Sequence, residues 1–268
     1  MKPALIVLFT LGVVVNGLAQ VPDVAAGKAQ QDPKAVAMLE KLDSLQYSPR
    51  TAGLKDLEFF AKLPGGFNIL IRWKTPDRVK AELVVSPESP PEMKKQMEFI
   101  KPKFEAEARK NAMPFVTMQL GESLREKHKG DDVTLAGPNE VKIVAKSEES
   151  KASFKEEVLT FDERGLVTRV KVVAPTGAES VIEPKFVERA PGRFSYESLK
   201  TTIGKDESVV AFEYVTVGDF SFVGRVTTKP KDGQPRALEF GGFKANSGLD
   251  DKIFDEAPAE SRPAPPVR

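Results

Sequence analysis

The sequence predicts a mainly β, α+β fold: a large antiparallel curled sheet or half β-barrel of about eleven strands, with an N-terminal helix and a helical insert packed on the concave face. Three observations predict it. Runs of roughly 7 to 13 residues, several alternating apolar and polar, follow one another between breaks rich in Gly, Pro, Asn and Asp. Two stretches depart from that rhythm and repeat their apolar residues every three or four positions, as helices do. A sheet this large also lies near the size at which open sheets curl.

The chain begins Met1-Lys2-Pro3, runs almost wholly apolar from Ala4 to Val15, and continues with the small residues Gly17-Leu18-Ala19. One basic residue, a short apolar run and a small-x-Ala site form the pattern of a secretory signal peptide over residues 1–19, cleaved near Ala19. That pattern implies a periplasmic or secreted protein. The run is shorter than the roughly 20 residues of a spanning helix; the alternative to a cleaved signal is an uncleaved anchor or a buried N-terminal helix. No cysteine follows it to carry a lipid. Residues 20–31 are Ala-, Gln- and Gly-rich and read as a flexible mature N-terminus.

A single domain is expected over residues 32–258. Asp32-Pro33 has the form of an N-cap followed by a first-turn proline, and Val36, Leu39, Leu42 and Leu45 supply a helical stripe that Ser48-Pro49 closes. Leu54–Leu63 and Phe67–Lys74 read as strands around the hairpin signal Pro64-Gly65-Gly66. After Thr75-Pro76-Asp77, the residues Val79, Ala81, Leu83 and Val85 alternate with Arg78, Lys80 and Glu82. That alternation suits a sheet with one buried and one wet face.

The helical insert covers residues 90–129. Met93, Met97, Ile100, Phe104 and Ala108 recur at steps of four, three, four and four, on one face of a helix, and most of the charged residues fall on the other. Pro114 is expected to open a second helix carrying Phe115, Met118, Leu120 and Leu124, because its fixed φ and missing N–H suit a first turn. His128, among Lys127, Lys129 and Asp131, reads as a solvated loop residue. Beyond Gly130 the strand rhythm resumes, with Glu148–Lys151 as one of its breaks, Gly241-Gly242 as a strand bend, and residues 259–268 as a Pro-rich disordered tail. The tail also has the composition of a proline-rich ligand for another protein.

Composition narrows the chemistry. Basic and acidic residues number 40 and 39, and loss of Lys2 would balance them, so no net field attracts nucleic acid. Without cysteine, and with a single histidine, the chain cannot build thiol nucleophiles, cysteine-held metals or multi-histidine sites. No Gly-x-Ser-x-Gly or phosphate-loop spacing occurs, and no cofactor is expected. Acid pairs are plentiful but none is singled out by its spacing, which leaves a carboxylate-based hydrolase as the weakest reading. The expectation is a non-catalytic protein.

The insert itself has two readings. As plain core, burying Met93, Met97, Ile100 and Phe104 would contribute on the order of 6–12 kcal/mol as an upper bound. As a ligand surface, it is rich in methionine: four of the six lie here, and flexible thioethers suit apolar partners of varied shape.

The signal peptide, the N-terminal helix, the meander with a helical insertion, Trp73-Lys74-Thr75-Pro76-Asp77-Arg78 and the closing Asn246–Phe254 segment before Pro258 together resemble the LolA-like outer-membrane lipoprotein carriers. The resemblance covers most of residues 32–258; the insert is longer and earlier than in a standard carrier, and the chain is larger by several strands. It implies an incomplete β-barrel whose concave face and helices enclose acyl chains of lipids or lipoproteins, with envelope membrane proteins as further partners. Met93, Met97, Ile100 and Phe104 from the first insert helix, and Met113, Phe115 and Met118 from the second, are the expected cavity lining. The rival expectation is an envelope interaction or scaffold protein with a closed core.

Overall fold

In a computed structural model of the chain, residues 29–62, 67–75, 78–85, 90–106 and 108–255 are described. The signal peptide, most of the mature N-terminus, the tip at 64–66, Pro76-Asp77 and the Pro-rich tail lie outside them. The first element is α1, Pro33–Leu45. The Asp32 carboxylate accepts from the N–H groups of Lys34 (2.8 Å) and Ala35 (3.3 Å), satisfying donors that a helix start leaves free. Ala35, Leu39 and Leu42 form its buried stripe.

Twelve strands form one open antiparallel sheet, one strand more than the sequence suggested. They are β1 (Asp56–Lys62), β2 (Phe67–Lys74), β3 (Arg78–Val85), β4 (Asp132–Gly137), β5 (Glu140–Val144) and β6 (Glu156–Phe161). The remainder are β7 (Val167–Val173), β8 (Glu179–Ala190), β9 (Arg193–Ile203), β10 (Asp206–Val217), β11 (Phe220–Pro230) and β12 (Arg236–Ala245). The order is β3-β2-β1-β12-β11-β10-β9-β8-β7-β6-β5-β4. Strands β4 to β12 are a simple meander, and the last of them pairs with β1, the first strand of the chain. The sequence neighbours β3 and β4 therefore stand at opposite ends of the sheet, joined by α2 (Pro91–Ala106), α3 (Ala108–Leu120) and α4 (Leu124–Lys127). Two further short helices are α5 (Glu148–Ser153), where the sequence suggested only a break, and α6 (Lys252–Asp255).

The described residues fall into two compact units, drawn from 1–47, 121–212 and 226–237, and from 48–120, 213–225 and 238–268. In the first, Val141, Leu159, Val170, Ile182 and Thr201 stand opposite one another across β5 to β9, and all five are buried. Helix α1 packs against β4, β5 and β9 of this unit, which is where its apolar stripe goes.

In the second unit β1 is buried on both faces. Leu57, Phe59 and Ala61 face one way, opposite Trp73, Ile71 and Ile69 of β2. On the reverse face Glu58 accepts from Arg72 Nε and Lys244 Nζ, each at 2.7 Å. Burial pushes the Glu58 carboxyl up, but the hydrogen bonds from Lys244 and Arg72 outweigh it and leave it below the usual carboxylate range.

A bulge sets this arrangement. Glu58 pairs with Lys244 and Phe60 with Gly241, so Gly242 and Phe243 of β12 together oppose the single Phe59. Gly242 takes φ +65°, a conformation glycine adopts without strain, and a Cβ there would lie 2.7 Å from Phe60 Cδ2. The extra residue turns Phe243 onto the Phe59 ring (centroids 5.7 Å apart, 16° between planes) and brings Lys244 to Glu58. Gly242→Ala should therefore lower the unfolding free energy by about 1–3 kcal/mol in urea titrations, whereas Gly241→Ala, with no atom near its Cβ, should cost less.

Candidate functional site

Helix α3 shows how the insert meets its unit. Among the described side chains of α3, Ala112, Phe115, Val116, Gln119 and Leu120 are buried, spaced three, one, three and one apart, and together they form one stripe. Phe115 meets the ring of Phe240 edge-on at 5.9 Å. The Gln119 amide bonds the β11 backbone in both directions, donating to Val223 O (2.9 Å) and accepting from Val223 N (2.8 Å). A buried amide satisfied in this way pins the rotation of the helix over the strand. Ser48 Oγ donates to Leu120 O at 2.6 Å and ends it.

The sequence expectation that Pro114 opens this helix is corrected: Pro114 lies inside α3 (Ala108–Leu120). An interior proline removes a backbone hydrogen bond and costs about 3 kcal/mol. The buried stripe from Ala112 to Leu120 runs across it. The expected lining residues separate accordingly. Phe115 is in the stripe, whereas Met113 and Met118 stand half-buried on its flanks.

Helix α2 packs on β3 and α3. Its expected lining residues Met93 and Met97 have side chains outside the described residues; Phe104 is half-buried, and Ile100 is 43% exposed. Phe99 is 88% exposed, the highest value among the large apolar residues described. The aromatic set beneath α3 was not anticipated as a group. Phe222 stacks on Phe243 (5.1 Å, 7°), Phe243 on Phe59, and Phe59 tilts against Phe240 (6.1 Å). The β12 bulge that unites these rings leaves no local signal in the sequence.

The chemically richest cluster lies in the first unit and corrects the reading of His128 as solvated. His128 is 1% exposed and Asp131 0%. The turn after α4 folds the imidazole inward, against the edge of Phe154 (5.7 Å), and its Nδ1 lies 3.0 Å from Asp131 Oδ2. The same carboxylate accepts from Ser150 Oγ and from the backbone N–H groups of Lys146 (2.9 Å) and Ser147 (3.0 Å). His128 Nε2 is buried without a hydrogen bond, 3.9 Å from Glu157 Oε2. Histidine, aspartate and serine are together, yet Asp131 sits in the middle. A nucleophilic triad places the imidazole between hydroxyl and carboxylate, so that the base can take the hydroxyl proton. Here the Ser150 hydroxyl is spent on the carboxylate, and the cluster ties a turn to α5.

The closing segment flagged in the sequence forms a strap. Asn246 (φ +51°) accepts from Lys55 N at 2.7 Å, and Asp56 accepts from Ser247 N (2.8 Å) and Gly248 N (3.1 Å). Arg78 of β3 bonds Asp251 at 2.9 Å, reaches Asp255, and lies 5.3 Å over the Phe254 ring. Among the described residues, no three His, Cys, Asp or Glu side chains converge as metal ligands, and no helix is long and apolar enough to cross a membrane.

Fold and site define a class: a mainly β protein whose single open sheet carries a helical insertion between its two end strands. No protein-family model, curated protein or solved structure matches the chain.

Proposed function

We propose that this chain is a periplasmic or secreted, non-catalytic protein that binds the acyl chains of lipids or lipoproteins between a curled sheet or half barrel and the helical insert, as LolA-like carriers do. The observation that carries the reading is the incomplete cover of the insert. Ile100 is 43% exposed, and Phe104, Met113 and Met118 are half-buried, beside a stripe that is otherwise shut. Half-covered apolar side chains of a flexible type are what a surface that admits alkyl chains requires. Each CH₂ withdrawn from water would add about 0.8 kcal/mol. A small shift of α2 relative to α3 would enlarge the apolar surface, and Met113 and Met118 would repack around the ligand.

The test is recovery of the protein from its native envelope, with mass spectrometry for lipid carried along and titration with fluorescent fatty acids. Bound lipid, with at least a tenfold loss of fatty-acid affinity in a Met113→Ser/Met118→Ser variant, is the expected outcome, because each change removes about 1.4 kcal/mol or more of apolar contact. A lipid-free protein that ignores fatty acids overturns the proposal.

One observation favours a second reading, an envelope interaction or scaffold protein with a closed core. Ala112, Val116 and Leu120 of α3 are fully buried, which leaves their stripe no room. The same fatty-acid titration separates the two.

A further inference from the structure

Glu157 stands where a carboxylate is costly. On β6 it lies opposite the fully buried Ile143 of β5 and opposite Val172 of β7, and its side chain is only 16% exposed. Among the described residues it accepts no hydrogen bond, and the one basic group within ion-pair reach is the His128 imidazole. The imidazole is short of a partner too. Asp131 can only accept, so Nδ1 carries the ring proton and Nε2 of the neutral ring offers a lone pair. That lone pair is buried without a donor, 3.9 Å from Glu157 Oε2. Two acceptors therefore face each other with no proton between them. Among the described acids, only Asp131 and Glu157 come within ion-pair reach of the ring nitrogens. Charged groups on the surrounding elements pair with one another: Arg125 of α4 with Glu40 of α1, Lys129 with Glu126, and Lys146 with Asp132 of β4. Lys142 of β5 pairs likewise with Glu156 of β6, and Lys151 of α5 with Glu148, while Glu149 and Lys155 are exposed.

We propose that His128 and Glu157 form a proton-operated clasp between the turn after α4 and strand β6. One proton taken from solvent at Nε2 turns the two facing acceptors into a hydrogen-bonded ion pair, and an N–H bond is the only covalent bond made. The imidazolium then lies between two carboxylates, with Asp131 on Nδ1 and Glu157 on Nε2. Burial pushes the Asp131 carboxyl up, but the hydrogen bonds from His128, Ser150, Lys146 and Ser147 outweigh burial and keep it ionised to receive the ring. When the proton leaves, the turn keeps its bonds to α5 and loses its bond to β6. The turn closes the helical insert, so the clasp sets how firmly the insert is fixed at its β4 end. A proton held more tightly by the folded chain than by the unfolded one stabilises the fold at low pH, and that contribution is lost as pH rises. The clasp uses none of the residues of the acyl-binding reading and stands apart from it.

The experiment is nitrogen NMR of the full chain carrying isotopically labelled histidine, whose single imidazole gives unambiguous signals. Between about pH 8 and about pH 5, the interval in which histidine changes charge, Nδ1 is expected to stay an N–H nitrogen. Over the same interval Nε2 should change from a lone-pair nitrogen to an N–H nitrogen. Glu157→Gln is the companion, because its neutral amide donates to the Nε2 lone pair without a proton. At the alkaline end its unfolding constant in urea titrations should be about fivefold smaller than that of the wild type, and at the acid end the difference should vanish. An Nε2 that keeps its lone pair to the acid end, or a difference between the chains that is the same at both ends, overturns the inference. The wild-type spectra decide the matter even for a variant that does not fold. Fatty-acid affinity at the alkaline end should be the same for both chains, so acyl binding stands or falls separately.

Discussion

Asp131→Ala should lower the unfolding free energy by about 3–5 kcal/mol, the range found when one member of a buried charged network is removed. The carboxylate is 0% exposed and receives His128 Nδ1, Ser150 Oγ and two backbone N–H groups. Alanine would leave all four without their acceptor in a site closed to water, and each buried unmade bond costs about 1–3 kcal/mol. The same residue predicts an acid dependence. Burial pushes its carboxyl up, but the hydrogen bonds from His128, Ser150, Lys146 and Ser147 outweigh burial and hold it well below the usual carboxylate range. A carboxyl depressed in the folded state contributes stability above its unfolded pKa, and that contribution is lost as pH falls through the folded value. Urea midpoints for the wild type should therefore drop from pH about 4 downward, and Asp131→Asn should show a shallower drop over the same interval. Equal acid slopes for the two chains would remove Asp131 as the source.

Phe59→Ala should cost a comparable 3–5 kcal/mol, about the usual loss for a buried phenylalanine whose site cannot collapse. Its ring is 0% exposed, stacks on Phe243, tilts against Phe240, and faces Ile71 across the β1–β2 ladder. Phe243 is held by the bulge and by Phe222, so the surrounding rings have little freedom to fill the gap. The measurement is a urea titration monitored by the fluorescence of Trp73, the only tryptophan, which is buried on β2 beneath the Arg50 guanidinium. The midpoint should fall with an unchanged slope. A loss under about 1 kcal/mol would mean that the rings are not packed as a unit.

The two residues differ in how far the sequence exposed them. Phe59 falls inside a run that already reads as a strand, and burial of such a residue is the ordinary outcome. Asp131 and His128 sit among Lys127, Lys129 and Gly130, so local composition argued for solvent. Only the return of the chain through β5 and α5 brings Lys146, Ser147 and Ser150 to the carboxylate, from as many as 19 positions away. Pro114 shows the same limit. Its local preference is a helix start, yet it lies inside a helix whose buried stripe runs from Ala112 to Leu120, tertiary context overriding propensity.

The sequence by itself determined the class of structure, the N-terminal helix and the location of the helical insert. Period-two alternation, turn residues at regular spacing and a capped N-terminal helix are local, and the physics behind them acts over a few residues. It also placed apolar residues of a flexible type in the insert that joins β3 to β4. The tertiary structure alone decided that the last strand pairs with the first, which puts β3 and β4 at opposite ends of the sheet. It alone decided that a one-residue bulge gathers Phe59, Phe222, Phe240 and Phe243, and which face of each insert helix is shut. Those outcomes depend on strand partners as far apart in the chain as Leu57 and Ala245. No local pattern encodes such contacts, because their energy appears only when strands distant in the chain have paired.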